Sequence, residues 1–130
     1  SDFNGSLKDM DYISMHMPLT DKTKNLINLS NLKTMKKNSI IVNTSRGGII
    51  NEKDLDEALN KEFIFGAGLD VFEKEPPDTN NPLLTNKKVL LSPHSSTFTE
   101  ECAERMGKET IQNIIDFFDR KVDKSMIVKL

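Results

Sequence analysis

The chain has 130 residues, a length that suits one domain with a modest hydrophobic core. Its 18 Lys and Arg residues nearly balance 20 Asp and Glu residues, the net charge is −2, and no basic stripe is present, so a nucleic-acid partner is not expected. No apolar run approaches the roughly 20 residues that cross a bilayer, and one cysteine cannot build a disulfide framework, so we expect a cytoplasmic protein with no membrane partner.

Four short apolar runs predict β-strands at residues 12–17, 39–44, 64–70 and 88–92. Between the first two, residues 21–38 carry leucine or methionine at every third position, which predicts a helix broken into two pieces with Ser30 as a cap partway along. Residues 51–62 begin with Asn51 as a predicted helix cap, and acidic residues occupy the first turn. The residues that this helix is predicted to bury are Leu55, Ala58 and Leu59.

A loop and a long helix complete the predicted elements. Residues 72–86 contain three prolines and paired asparagines, which exclude a helix and predict a long, ordered loop. Thr97 and Glu100 predict a capping box for a helix that runs to about Arg120. Its apolar stripe, which needs a surface to pack against, is Ala103, Met106, Ile111, Ile114, Ile115 and Phe118.

The order of these elements is typical of right-handed crossovers onto a parallel sheet. The predicted fold class is therefore α/β, with a parallel sheet of about four strands and helices on both faces. No internal repeat, low-complexity stretch or linker interrupts the chain, so residues 1–130 are assigned to one domain or to part of one.

Chemically capable side chains follow three successive strands at the same end. Arg46 follows the second strand, Asp70 and Glu75 come at and after the end of the third, and His94 follows the fourth. Ligands of an open parallel sheet bind beyond the carboxyl ends of the strands, because helix N-termini and loops converge there. Chance would seldom give this arrangement, so the sequence predicts a site at this rim.

Each of these side chains has a chemical role and a plainer alternative. Arg46 is either a planar fork that grips a carboxylate, with Gly47 and Gly48 leaving room for the ligand, or a surface ion-pair arginine. His94 is either a proton-transfer group, since the ordinary pKa of histidine is about 6.5, or a loop residue. Glu75 is either the partner that orients His94 or a solvated loop acid.

Other residues were assigned less specific roles. Asp70 ends a strand whose glycines let a flat ligand or another backbone approach closely, or it is a turn aspartate. The segment "GAGLDV" is not a dinucleotide fingerprint, because it lacks the third glycine and does not open a helix. His16 is assigned a packing or ribose-side role, and Cys102 a buried small side chain. The two histidines and the cysteine have no ligand spacing, so no metal site is expected.

Four motifs together resemble the D-isomer-specific 2-hydroxyacid dehydrogenase family, especially its phosphoglycerate dehydrogenase and glyoxylate reductase branch. They are "MHMPLTDKTKNLI", "NSIIVNTSRGGIINEKDLDEAL", "GAGLDVFEKEPP" and "LLSPHSSTFTEE". They occur in that family's order and at its spacing, and the likeness covers nearly the whole chain. The resemblance implies the C-terminal part of a Rossmann-like NAD(P)-binding domain, and an enzyme that transfers hydride between nicotinamide and C2 of a D-2-hydroxy acid or 2-keto acid.

The same resemblance implies roles for individual residues. Arg46 would bind the substrate carboxylate and carbonyl, His94 would be the acid and base, and Glu75 its partner. Asp70 would hold the nicotinamide carboxamide. The other implied cofactor-binding residues are Pro18, Thr23, Thr44, Ser45 and Ser96. The serines that follow His94 replace the small residues usual in the family, which leaves substrate contacts and selectivity open.

The family's glycine-rich turn and ribose-binding acid would lie before Ser1, and its substrate domain is also absent. The resemblance therefore implies a fragment that is inactive alone. NAD is favoured as cofactor, and NADP stays open because the ribose-reading segment is missing. The first strand would then be an uncovered sheet edge, which predicts self-association, as a homodimer, through that edge or the last helix.

Two alternatives stay open. The chain could be a corepressor-like or regulatory dinucleotide-binding module of the same fold, which a large exposed apolar groove without a substrate pocket would favour. It could also belong to a formate or phosphite dehydrogenase, which uses a similar arginine and histidine. Turnover of hydroxypyruvate, glyoxylate or phosphohydroxypyruvate would favour the hydroxyacid dehydrogenase.

Overall fold

The computed structural model describes residues 3–127, and the chain divides into two units, Ser1–Ser95 and Ser96–Leu130. The first unit contains the elements α1 (Phe3–Leu7), β1 (Tyr12–Met15), α2 (Leu29–Thr34), β2 (Ile40–Asn43), α3 (Glu52–Asn60), β3 (Gly66–Leu69) and β4 (Val89–Leu91). The second unit contains α4 (Glu100–Phe118). Two 3-10 turns occupy Pro82–Leu84 and Lys124–Met126. The assignment of residues 1–130 to a single domain stays a prediction.

The four predicted strands form one parallel sheet in the order β1-β2-β3-β4, which confirms the α/β class. Each strand is shorter than the apolar run that predicted it, because the residues at the ends of the run lie outside the hydrogen-bonded strand pairing. Ile41 at the centre of β2 lies opposite Ile13 of β1 and Ala67 of β3. Within residues 3–127, β1 and β4 are the edge strands, as predicted for β1.

The two faces of the sheet differ in how they are covered. Met15, Ile41 and Leu69 point to the face that the helices cover, and they are buried in one core with Leu32 of α2 and Leu55 of α3. On the other face, Tyr12 and Leu90 are 76% and 79% exposed.

The predicted helical cover is therefore present on one face, and no helix within residues 3–95 packs on the other. Right-handed crossovers that step in one direction along the sheet all lie on the same side, which explains this difference from the prediction. No helix that the structure describes is both long and apolar enough to pass through a membrane.

The helices of the first unit match the sequence in part. α3 begins after the predicted cap Asn51, whose side chain accepts a hydrogen bond from the Asp54 N–H, and its predicted stripe is buried. The cap of α2 was predicted wrongly: Asn28 accepts from the N–H groups of Ser30 and Asn31, so Ser30 lies inside the helix. The first predicted helical piece is a turn instead, and α1 was not predicted.

Two predictions about the later elements also need correction. The prolines of residues 72–86 exclude an α-helix, but Pro82 begins a short 3-10 turn, because proline is tolerated in the first turn of a helix. The cap of α4 is Thr99 rather than Thr97, since the Thr99 hydroxyl accepts from the Cys102 N–H. Cys102 is partly exposed rather than buried. Within residues 96–127 nothing that the structure describes covers the apolar stripe of α4.

Candidate active site

Glu75 and His94, which follow β3 and β4, are joined by a hydrogen bond. The Nδ1–H of His94 donates to Oε2 of Glu75 at 2.7 Å, and the other carboxylate oxygen accepts from the Phe72 N–H at 3.0 Å. Both carboxylate oxygens are therefore held in place. With Nδ1 committed to the carboxylate, Nε2 is the ring nitrogen left for proton exchange with a ligand.

The charge of Glu75 is stabilised by its surroundings. The hydrogen bond from His94 is the largest cause that lowers the pKa of Glu75, followed by the Phe72 N–H, and the positive charge of Arg46 also contributes. Burial opposes these effects only in part. A carboxylate fixed in this way orients the ring of the histidine that it pairs with.

His94 has a left-handed backbone conformation, with φ of 52°. Such a conformation is unfavourable for a residue with a side chain and persists where its neighbours fix it. Asp70 is the neighbour that fixes this turn. Its Oδ1 accepts from the Ser92 hydroxyl at 2.5 Å and from the Ser95 N–H at 2.8 Å. Asp70 is only 2% exposed. These two hydrogen bonds of the Asp70 side chain hold the His94 turn, and the implied role of Asp70 toward nicotinamide stays a prediction.

Arg46 lies on a turn that Asn43 holds. Oδ1 of Asn43 accepts from the Ser45 N–H at 3.1 Å and from the Ser45 hydroxyl at 2.9 Å, and Nδ2 donates to the Arg46 carbonyl at 2.8 Å. The Arg46 side chain donates to the Ser45 carbonyl and is exposed. Asn43 is a residue of this rim that the sequence did not predict. The available signal was a polar residue at an inward position, two residues after the buried Ile41.

Gly47 has a different function from the one predicted. A Cβ atom on Gly47 would lie 1.8 Å from the Phe72 carbonyl oxygen, so the missing side chain makes room for backbone and not for a ligand. Gly48, with φ of 80°, supplies the turn. The contact brings the turn after β2 against the loop after β3, and this places Arg46 and Glu75 at the same rim.

The remaining predicted cofactor residues occupy three places. Thr44 and Ser45 are partly buried directly after β2. Pro18 and Thr23 share one turn after β1, where the Thr23 hydroxyl donates to the Pro18 carbonyl at 2.7 Å. Ser96 is the first residue of the second unit, so its role stays a prediction.

Further observations complete the description of the rim. His16 is exposed and bonds the Ser14 hydroxyl at 2.7 Å, so a packing role is wrong and a ribose-side role stays a prediction. A mainly apolar pocket of about 430 Å³ adjoins Glu75 and His94. Its other lining residues are Phe72, Pro76, Pro77, Leu84, Leu91, Ser92 and Pro93. Within residues 3–127, no group of three or more His, Cys, Asp or Glu side chains is arranged to hold a metal ion.

Comparison with known proteins identifies the family. The sequence profile described as "D-isomer specific 2-hydroxyacid dehydrogenase, NAD binding domain" matches residues 1–96. The chain therefore belongs to the D-isomer specific 2-hydroxyacid dehydrogenase family, and the matched residues are part of its NAD-binding domain. The resemblance drawn from the four sequence motifs is confirmed.

Individual relatives show how far this likeness extends. The glyoxylate reductase of Aeropyrum pernix is 43% identical over 121 residues, which are 93% of this chain and 36% of that protein. The D-3-phosphoglycerate dehydrogenase of Methanocaldococcus jannaschii is 47% identical over 113 residues, which are 87% of this chain and 21% of that protein.

A solved structure gives the same result for the fold. The NAD complexed form of a D-isomer specific 2-hydroxyacid dehydrogenase from Lactobacillus delbrueckii ssp. bulgaricus has a TM-score of 0.86 and 28% identity, over 98% of this chain and 43% of that one. The fold is therefore that of part of a Rossmann-type domain. This chain spans less than half the length of each of these three proteins.

The Glu75 carboxyl is expected to titrate below its ordinary pKa of 4.5. A lowered pKa in the folded state means that the stabilisation is present above the ordinary value and is lost as pH falls through the lowered one. In His94→Ala the pKa of Glu75 should rise toward the ordinary value without reaching it, because the Phe72 N–H remains. Carbon-13 NMR titration of the carboxyl measures this.

Glu57 is the control for this titration, since its own pKa is lowered by a hydrogen bond from Lys61. It should titrate alike in both proteins. Glu75 curves that coincide in the parent and in His94→Ala would contradict the assigned cause.

Gly47→Ala is expected to lower the free energy of unfolding by about 1–3 kcal/mol, because a methyl group forces the Phe72 backbone away. The matched control is Gly107→Ala in α4, where a Cβ meets nothing within 4 Å and alanine favours the helix by up to about 1 kcal/mol. Urea unfolding of the parent, Gly47→Ala and Gly107→Ala gives the change in the free energy of unfolding for each substitution. Equal effects of the two substitutions would disprove the close contact at Gly47.

Proposed function

We propose that residues 1–130 are the C-terminal part of the NAD(P)-binding domain of an oxidoreductase that interconverts 2-keto acids and D-2-hydroxy acids. The observation that carries the proposal is the hydrogen bond between His94 and Glu75, with the charge of Arg46 near the same carboxylate. Glyoxylate, glycerate and phosphoglycerate types of substrate are favoured, because relatives that are 43% and 47% identical to this chain are named for glyoxylate and phosphoglycerate. The single cysteine supports a cytoplasmic location.

The donor set at the rim fits a nicotinamide nucleotide. The Ser45 hydroxyl donates to Asn43, so its oxygen still accepts a hydrogen bond, for example from a ribose hydroxyl. Thr44, Asp70 and Ser96 would line the same nucleotide, and Pro18 and Thr23 would contact it from the turn after β1. NAD is favoured over NADP because the matched family domain is described as NAD-binding. The bound dinucleotide supplies the hydride.

The protein side chains supply binding and proton transfer. Arg46 is exposed and offers two parallel N–H donors to the substrate carboxylate, which holds the adjacent carbonyl at the rim. The protonated ring of His94 gives the proton from Nε2 to the carbonyl oxygen when a 2-keto acid is reduced. In the reverse direction the neutral ring takes the hydroxyl proton. Glu75 stabilises the charged ring in both directions.

The proposal is tested by measuring turnover with the protein that the complete reading frame encodes, of which this sequence is part. With NADH and glyoxylate, hydroxypyruvate or phosphohydroxypyruvate, His94→Ala should lower kcat by about 100-fold or more, since general acid-base catalysis is lost. Glu75→Gln should lower kcat by about tenfold or more. Arg46→Lys should mainly raise KM, because a single ammonium cannot replace the two-pronged contact.

Glu57→Gln is the matched control for Glu75→Gln, because Glu57 bonds only the exposed Lys61 in the described residues. It should keep the kinetics of the parent. A His94→Ala rate within about tenfold of the parent would remove His94 from the mechanism. Turnover of formate or phosphite, with no turnover of the 2-keto acids, would favour that second class of dehydrogenase.

A regulatory dinucleotide-binding module is the second candidate function. It is favoured by an open groove of about 570 Å³ on the uncovered sheet face, lined by Ile40, Val42, Gly66, Gly68, Leu90 and neighbouring residues. The pocket beside His94 favours the enzyme instead, because a binding module has no need of it. Cofactor binding without turnover of any of the 2-keto acids would support the module.

We also propose that the chain self-associates as a homodimer. Two surfaces support this: the outer edge of β1, which has no strand neighbour within residues 3–127, and the exposed apolar stripe of α4. Sedimentation velocity at tens of micromolar is expected to show a dimer. Ile114→Glu should dissociate it if α4 forms the interface and should leave it intact if the β1 edge does. A parent that sediments only as monomer would contradict the proposal.

A further inference from the structure

Asn43 is a buried polar residue on an otherwise apolar face. It ends β2 and is 2% exposed, and its neighbours in the adjacent strands are Met15 of β1 and Leu69 of β3. A buried amide costs free energy unless its donors and acceptors are paired, and an apolar residue of similar size would pack at this position without that requirement. The presence of the amide therefore needs a reason in its hydrogen bonds.

All three hydrogen bonds of the Asn43 side chain go to one short turn. Two run from the main chain and hydroxyl of Ser45 to Oδ1, and one runs from Nδ2 to the Arg46 carbonyl. None is made to the sheet or to a core helix. The amide therefore holds the backbone on both sides of the Arg46 Cα atom. This backbone determines the point from which the Arg46 side chain extends.

The same turn is linked to the Glu75 and His94 pair through the Phe72 backbone. Gly47, next to Arg46, lies against the Phe72 carbonyl, and the Phe72 N–H donates to Glu75. Glu75 in turn accepts from His94. The main chain of Asn43 provides a second connection, since its carbonyl accepts from the Asp70 N–H at 3.0 Å. A shift of the turn that Asn43 holds would therefore move Arg46 relative to both partners.

We infer that Asn43 is a positioning residue: its side-chain amide fixes the Ser45–Arg46 turn and so sets the place of the Arg46 guanidinium relative to the Glu75–His94 pair. The inference rests on the proposed function for its kinetic consequence. Asn43 itself does not touch the substrate. Its contribution is to keep the carboxylate-binding group within the narrow tolerance that an active site requires.

Three variants of the protein that the complete reading frame encodes distinguish a positioning role of Asn43 from general support of the fold. Asn43→Leu keeps the size of the side chain and removes all three hydrogen bonds. Asn43→Asp keeps the two bonds from Ser45 and loses the one to Arg46. Asn28→Leu is the control, because Asn28 caps α2 by accepting from backbone N–H groups and has no bond to the Arg46 turn.

The first readout is steady-state kinetics with saturating NADH. Asn43→Leu is expected to raise KM for glyoxylate by about tenfold or more with a smaller change in kcat, since a displaced guanidinium binds the carboxylate less well in ground and transition states alike. Asn43→Asp should fall between that variant and the parent. Asn28→Leu should lower the melting temperature and leave KM unchanged. An unchanged KM in Asn43→Leu would overturn the inference.

The second readout does not depend on turnover. Trypsin cuts after Arg46 only when the turn opens, so Asn43→Leu is expected to be cut there about tenfold faster than the parent, with the site mapped by mass spectrometry. Asn28→Leu should be cut after Arg46 at the parent rate. Equal rates for Asn43→Leu and the parent would overturn the inference. If the parent reduces none of the 2-keto acids, the proposed function fails. The rate of tryptic cleavage after Arg46 then decides by itself whether Asn43 holds the turn.

Discussion

At Gly47 two backbone segments meet with no space for a side chain between them. The Phe72 carbonyl occupies the volume that a Cβ atom would fill, so the turn after β2 and the loop after β3 approach more closely than a residue with a side chain would allow. Arg46 lies beside this contact on one segment, and Glu75 is bonded to Phe72 on the other. The arrangement of the cationic and anionic groups at the rim therefore depends on a contact that involves neither of their side chains.

Two buried polar residues act in the same way at neighbouring strand ends. Asn43 at the end of β2 holds the turn with Arg46, and Asp70 after β3 holds the turn with His94. Each is 2% exposed, and each directs hydrogen bonds to backbone next to a more exposed functional residue. A buried group is held by packing on all sides, so it transmits the rigidity of the sheet to a turn that water would otherwise loosen. The reactive groups remain exposed to a ligand while their backbone stays fixed.

The sequence predicted the elements that depend on local pattern and missed those that depend on a distant partner. The four strands and the Asn51 cap follow from apolar runs and nearby capping groups. The caps of α2 and α4 were misplaced because each segment has two capable residues close together, and only the folded backbone decides which side chain reaches the N–H groups. The partner of Gly47 lies on another loop, so its residue type gave no sign of whether a ligand or a carbonyl fills the space.

The rim was predictable for a topological reason, whereas the uncovered face was not. Parallel strands carry their carboxyl ends to one edge, so the residues that follow β2, β3 and β4 had to lie at the same edge of the sheet whatever the strand order. Which face of the sheet the helices cover depends on the strand order, and the strand order cannot be read from the sequence. Strands added stepwise in one direction receive all their right-handed crossovers on one side, and this leaves Tyr12 and Leu90 exposed on the other. The rim that carries the candidate site and the open face are thus two results of a single topology. The regular succession of strands that brings the turns of Arg46, Glu75 and His94 to one edge also leaves the second face without a helix of residues 3–95.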